Sequence, residues 1–302
     1  MKKYFAIVLF MAFSVVVSAE ETKVDLTPKF WAYFQPQGEW TKTTESFSIS
    51  QGRGFVFGNF SDKISYLIEV QSVPTPVLLK AQISWMFAKN TKIIFGQQSN
   101  SFKFFDPDPS VRNLVIYPLT TLVSSTEDIG ITLEGKVSLF DYRFSVLNGA
   151  GTNRKDDNKD KDTVSWVRFL PTNWISLIGC YQDGYQGTGT SRKHRSGEWL
   201  QLEFKPFSWL CVKPTWVKRN DFEKEGEGWF IVSQVQINST YQLLVQYLND
   251  RNSDKEWTLG GIVCMNSRVR ILSSVFYRFK AIGNNDVGVN IMIHINIGKD
   301  II

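Results

Sequence analysis

The residues of this 302-residue chain that could do chemistry are mostly basic, and they recur at every second position. Arg268, Arg270 and Arg278 share one phase of an extended backbone, while Val269, Ile271, Val275, Tyr277 and Phe279 share the other. The same reading puts Arg53, Lys80, Lys136, Arg143, Arg168, Lys213 and Arg219 on polar faces, together with the acids Glu69, Glu134, Asp141 and Glu203. Rings of basic side chains attract anions, and an arginine fork can grip phosphate or carboxylate through two hydrogen bonds. The chemistry these residues predict is selection by charge.

Other reactive groups make a weaker case. His294 falls on a polar face beside a segment carrying Ser273 and Ser274, but nothing else builds a nucleophile, so no enzyme is expected. His194 lies in the basic stretch Arg192 to Arg195, read as an outer loop. Asp156, Asn158, Asp160 and Asp162 stand at every second position as in a calcium loop, yet the glycine and closing glutamate are missing and basic residues sit among them. That stretch reads as a solvated loop, and no metal or cofactor is expected. Cys180, Cys211 and Cys264 are odd in number, without metal spacing, and read as small wall residues.

The elements that carry these residues are short and alternating. Sixteen strands are predicted, at 27–40, 46–60, 64–73, 77–89, 91–98, 127–136, 139–149, 163–171, 173–182, 196–205, 208–219, 227–237, 240–249, 255–265, 268–280 and 286–298. Their connections alternate between tight turns, such as Asn238-Ser239-Thr240, and mostly longer polar loops, such as 99–126 and 151–162. One rim of turns and one of loops is the pattern of an all-β, up-and-down transmembrane barrel. The last strand shows its wall most clearly: Val287, Val289, Ile291, Ile293, Ile295 and Ile297 alternate with Gly288, Asn290, Met292, His294 and Asn296. Sixteen strands enclose a space too wide for side chains to fill, and arginines in a dry core would cost several kcal/mol each. The apolar face therefore belongs against lipid and the polar face against water inside. The 23 Phe, 10 Trp and 10 Tyr, spread along these segments, suit the aromatic girdles of such a barrel.

The N-terminus sets the expected address. Lys2 and Lys3, an uncharged apolar run from Tyr4 to Val17, and Val17-Ser18-Ala19 form the three parts of a secretory signal peptide. Residues 1–19 are read as that leader and 20–302 as a single barrel domain. The formal charge of +5 falls by two when Lys2 and Lys3 leave, too mild a surplus to favour nucleic acid.

Several segments resemble the phosphate-selective porin O and P family. They are Gly52-Arg53-Gly54-Phe55, Asp62-Lys63-Ile64-Ser65-Tyr66 with Ile68-Glu69-Val70, Leu79-Lys80-Ala81-Gln82-Ile83, Ile94-Phe95-Gly96-Gln97, Asp128-Ile129-Gly130-Ile131, and Tyr142 to Gly151 with its Asn148-Gly149-Ala150 core. The resemblance spans roughly 45 to 205. It implies a sixteen-stranded, usually trimeric porin of the bacterial outer membrane that passes small hydrophilic solutes and anions. Members of the family differ in selectivity, so phosphate itself is not implied, and single basic positions such as Arg53 stand where phosphate-specific members carry paired arginines. The chain also ends on Ile301-Ile302 where such barrels end on an aromatic. The loop after the fifth strand carries Lys103, Asp106, Asp108 and Arg112 with three stiffening prolines, and is expected to fold inward as the constriction. The alternative is a plugged structural or adhesive barrel.

Overall fold

The computed structural model describes residues 25–41, 45–73, 75–100, 102, 127–154, 156, 159–186, 192–221, 224–250, 255–266, 268–279 and 285–298. The expected leader 1–19 lies outside them. The described residues form sixteen strands: β1 (Lys29–Thr41), β2 (Glu45–Asn59), β3 (Ile64–Val73), β4 (Val77–Ala88), β5 (Thr91–Ser99), β6 (Glu127–Val137), β7 (Phe140–Leu147), β8 (Asp162–Phe169), β9 (Ile175–Gln186), β10 (Lys193–Phe207), β11 (Leu210–Asp221), β12 (Lys224–Gln236), β13 (Tyr241–Asp250), β14 (Lys255–Cys264), β15 (Val269–Phe279) and β16 (Asp286–Gly298). Each pairs antiparallel with its sequence neighbours, and β1 pairs with β16 to close the barrel.

Every predicted strand is present. The largest difference is at β9 and β10, whose hairpin runs on to the pair Lys193↔Gln186, so that Arg195 and His194 are wall residues instead of loop residues. Asp183, Gly184 and Tyr185 carry no apolar alternation, and cross-strand pairing alone extends the ladder there.

The two faces part as a membrane wall requires. On β15, Val275, Tyr277 and Phe279 are 37–49% exposed on the outside, while Leu272, Ser274 and Phe276 are buried within. On β16, Val287, Ile291 and Ile293 also face outward. Trp229, Tyr247 and Trp257 form an outer aromatic row with ring centroids 5.1 and 4.6 Å apart, and Tyr277 stands opposite Trp257 on the next strand. At the turn rim, Phe207 stacks on Trp209 at 5.2 Å and Phe140 on Phe169 at 4.9 Å. Rings at both ends of an apolar band suit the two interfaces of a bilayer.

Proline and glycine mark where the wall departs from regular pairing. Pro36 sits at a register shift in the β1–β2 ladder, and the β10–β11 ladder lapses between Gln201↔Thr215 and Phe204↔Val212, where Pro214 has no N–H to donate. Gly96 has φ +108°, and a Cβ there would stand 2.2 Å from the Ala81 carbonyl oxygen.

Candidate functional site

The inner face from β2 to β8 is built from three clusters of one design, a carboxylate between two cations. Glu69 on β3 is almost fully buried and bridges Arg53 Nη1 at 2.8 Å on β2 and Lys80 Nζ at 2.6 Å on β4. Glu134 on β6 meets Lys92 at 3.0 Å on β5 and Arg143 at 3.7 Å on β7. Asp141 on β7 accepts from Arg168 Nε at 2.9 Å on β8 and lies 3.7 Å from Lys136 on β6. The last two clusters follow the ladders themselves: Lys92↔Glu134↔Arg143 and Lys136↔Asp141↔Arg168 are directly opposed partners. Opposite charges facing each other across strands stabilise by about 0.2–1 kcal/mol per pair. Each cluster keeps one positive charge in excess. The side chains of Lys92, Lys136 and Arg168 are 37, 60 and 36% exposed, so this wall is wet.

The remaining sequence-predicted basic residues are scattered. Arg278 on β15 donates from Nε at 2.8 Å to Glu256, a buried acid on β14 that sequence reading missed. Lys213 is half-buried on β11, next to the lapse in the β10–β11 ladder. Arg270 is half-buried on β15, and Arg268 is exposed in the turn before it. Arg219 is buried on β11. Lys103, Asp106, Asp108 and Arg112 of the expected constriction lie outside the described residues.

The first step of that long loop is described, and it goes inward. Phe102 is 1% exposed, and its carbonyl accepts from Trp199 Nε1 at 3.0 Å, on β10, five strands round the barrel from β5. Gly197 makes room for it, since a Cβ there would stand 2.4 Å from the Phe102 ring. Sequence reading missed Phe102, because nothing local marks it as inward-facing.

From β9 to β16 the polar-lumen expectation holds only in part, because Thr215, Arg219, Gln246, Glu256 and Ser274 share the inner phase with a large apolar set. There the inner phase carries Ile178, Cys180, Trp199, Val217, Phe230, Val232, Leu244, Leu248, Ile262, Leu272 and Met292, all buried in one apolar cluster that continues to Val164, Leu147 and Phe102. Alternation assigns each residue to a face, but it does not make every inner residue polar.

The acidic loop is corrected as well. Asp162 opens β8 fully buried, with Arg195 Nη2 at 2.5 Å and Gln182 Nε2 at 2.7 Å. Arg195 also donates to the Gly149 carbonyl at 2.7 Å, and the Gly149 N–H donates to Asp128 at 2.8 Å. Asp160 is taken by Arg192 and Asp156 by Lys161. The carboxylates described in this segment are thus each engaged by a basic neighbour. His194 lies 2.7 Å from Asp183 and is exposed. The three cysteines are wall residues, and none of them forms a disulfide among the described residues.

No family model matches the chain, and no curated protein does either, so the resemblance to phosphate-selective porins rests on the residues alone. Solved structures do match. An anion-selective porin from Comamonas acidovorans superposes with a TM-score of 0.69 at 8% identity, over 90% of this chain and 99% of its own. A Rh. blastica porin variant gives 0.68 at 11% identity, over 90% and 100%. A loop-deletion variant of OmpT, an outer membrane protein of Vibrio cholerae, gives 0.65 at 10%, over 90% and 99%. The fold is that of the outer-membrane porins. Its apolar outer band and paired aromatic girdles belong in the bacterial outer membrane.

Proposed function

We propose that the protein is a porin through which small hydrophilic solutes diffuse, with a bias towards anions, phosphate-like anions included. The observation that carries this reading is the wet wall from β2 to β8, where three clusters set six cations against three carboxylates. A surplus of fixed positive charge along an aqueous path raises the local concentration of anions and repels cations. The reading includes a homotrimer, as the family resemblance implies, and needs neither cofactor nor catalytic group.

The dry wall from β9 to β16 favours a second reading, a barrel whose lumen is plugged, because a wide open pore would leave Leu272 and Ile262 wet where they are 0 and 1% exposed. One experiment separates the two. Folded protein in planar bilayers is expected to give stepwise conductance, with reversal potentials favouring chloride over potassium. Arg53→Ala leaves Glu69 balanced by Lys80 alone and is expected to reduce that preference. Folded protein that gives no conductance steps would establish the plug.

A further inference from the structure

We propose that the turn-rim end of the charged wall is a binding site for compact organic polyanions, di- and tricarboxylates in particular. The inference rests on the porin reading of the lumen and names the solute class it serves.

The site is a cavity of about 480 Å³ where β4 to β8 approach their tight turns. Lys89, Lys92, Lys136, Arg143 and Arg168 line it against only Glu134 and Asp141, leaving three positive charges in excess. Both carboxylates already sit between two cations, so their charge is spent. Lys89 has no ion-pair partner among the described residues and projects from the turn between β4 and β5. A monoanion would answer only part of this surplus, whereas a solute with two or three carboxylates answers it within one cavity. Charge-assisted hydrogen bonds from lysine and arginine to carboxylate are about twice as strong as neutral ones.

A further feature selects an organic framework. Met86 and Trp166 supply apolar contact on the same lining, which inorganic phosphate could not use and a carbon skeleton could. Trp166 Nε1 and Arg143 Nε are both buried behind this lining without an acceptor among the described residues. A second cavity of about 400 Å³ shares Lys136 and Arg168 and adds Lys205 paired with Glu203, which leaves the surplus on this rim with the first cavity's cations.

The test is titration calorimetry of citrate, with acetate and inorganic phosphate as comparisons, into the full-length folded barrel in detergent micelles at low ionic strength. Saturable citrate binding is expected, about ten-fold tighter than either comparison anion. Lys89→Gln/Lys136→Gln should weaken it about ten-fold, the equivalent of 1.4 kcal/mol. Lys218→Gln/Lys255→Gln removes equal charge elsewhere on the barrel and should leave it unchanged. Lys89→Gln alone breaks no described ion pair and should weaken citrate in the same direction, which keeps the test open should the double variant misfold. Citrate binding that is equal in all variants, or no tighter than acetate, overturns the proposal. Calorimetry reads the site whether or not the lumen conducts, so a silent bilayer would sink the porin reading and leave this result standing or falling by itself.

Discussion

From β2 to β8 the inner wall places a carboxylate between two cations in three successive clusters, and its lysines remain open to water. From β9 to β16 the same phase of the same kind of strand carries Trp199, Phe230, Leu248 and Leu272, all at 3% exposure or less. The physical consequences differ. Exposed ion pairs contribute about 0–1 kcal/mol each and are screened by salt, whereas fully burying a large apolar side chain contributes about 1.5–3 kcal/mol. Selectivity should therefore reside on the first wall and stability on the second.

The two walls join where β8, β9 and β10 meet the loop rim, and the strongest test lies there. Asp162 and Arg195 are 0 and 5% exposed, so Asp162→Ala leaves a buried guanidinium without its counter-charge. Breaking such a pair costs about 3–5 kcal/mol. Urea unfolding in detergent micelles, followed by tryptophan fluorescence, should show a loss of that size. A loss below about 1 kcal/mol would mean the seam is not what joins the walls.

Next in size is Leu272→Ala, in the middle of the dry wall at 0% exposure. The expected loss is about 2–4 kcal/mol, from the missing contacts and the cavity left behind. Reversal potentials should not move. If they shift as much as when a charged-wall lysine is removed, the division of labour between the walls is wrong.

The contrast also marks how far the sequence could be read. Val287, Ile291 and Ile293 announced their face because strand phase has a period of two, and all three lie outside. Phase also put Glu69, Glu134 and Asp141 inside with the basic residues. It could not show that Glu134 stands opposite both Lys92 and Arg143, because register between strands depends on turn geometry and pairing rather than on either strand alone. The dry wall was hidden for a different reason: Leu244 and Leu248 sit on the inner phase by count, and their burial is decided by side chains from many strands. Arg195 reads as a loop residue because its neighbours lack an apolar pattern, and its partner lies 33 residues away.

Gly197 tests the contact that reaches the dry wall from the other side of the barrel. Its missing Cβ admits Phe102, whose carbonyl is held by Trp199. Gly197→Ala should displace the ring at a cost of about 1–3 kcal/mol, the usual range for overpacking. Trp199 emission should shift to the red as its surroundings become wetter, against a background measured in a Trp199→Phe variant. Unchanged emission with unchanged stability would mean that Phe102 is not seated there in solution.

The smallest effect on folding should come with one of the clearest effects on ions. Lys92 and Glu134 are 37 and 34% exposed and 3.0 Å apart, so Lys92→Gln should change stability by no more than about 1 kcal/mol. Glu134 would keep Arg143 at 3.7 Å, and the cluster would pass from one excess positive charge to none. Chloride preference should fall, most visibly at low salt, where the Debye length is longest. Glu134→Gln removes the opposing charge from the same cluster and should move the reversal potential the other way at a similarly small cost in stability. Two substitutions on directly opposed residues, nearly silent in urea and opposite in ion preference, would separate the field of this wall from its contribution to folding. If both moved selectivity in the same direction, a change in pore shape would account for the result better than charge.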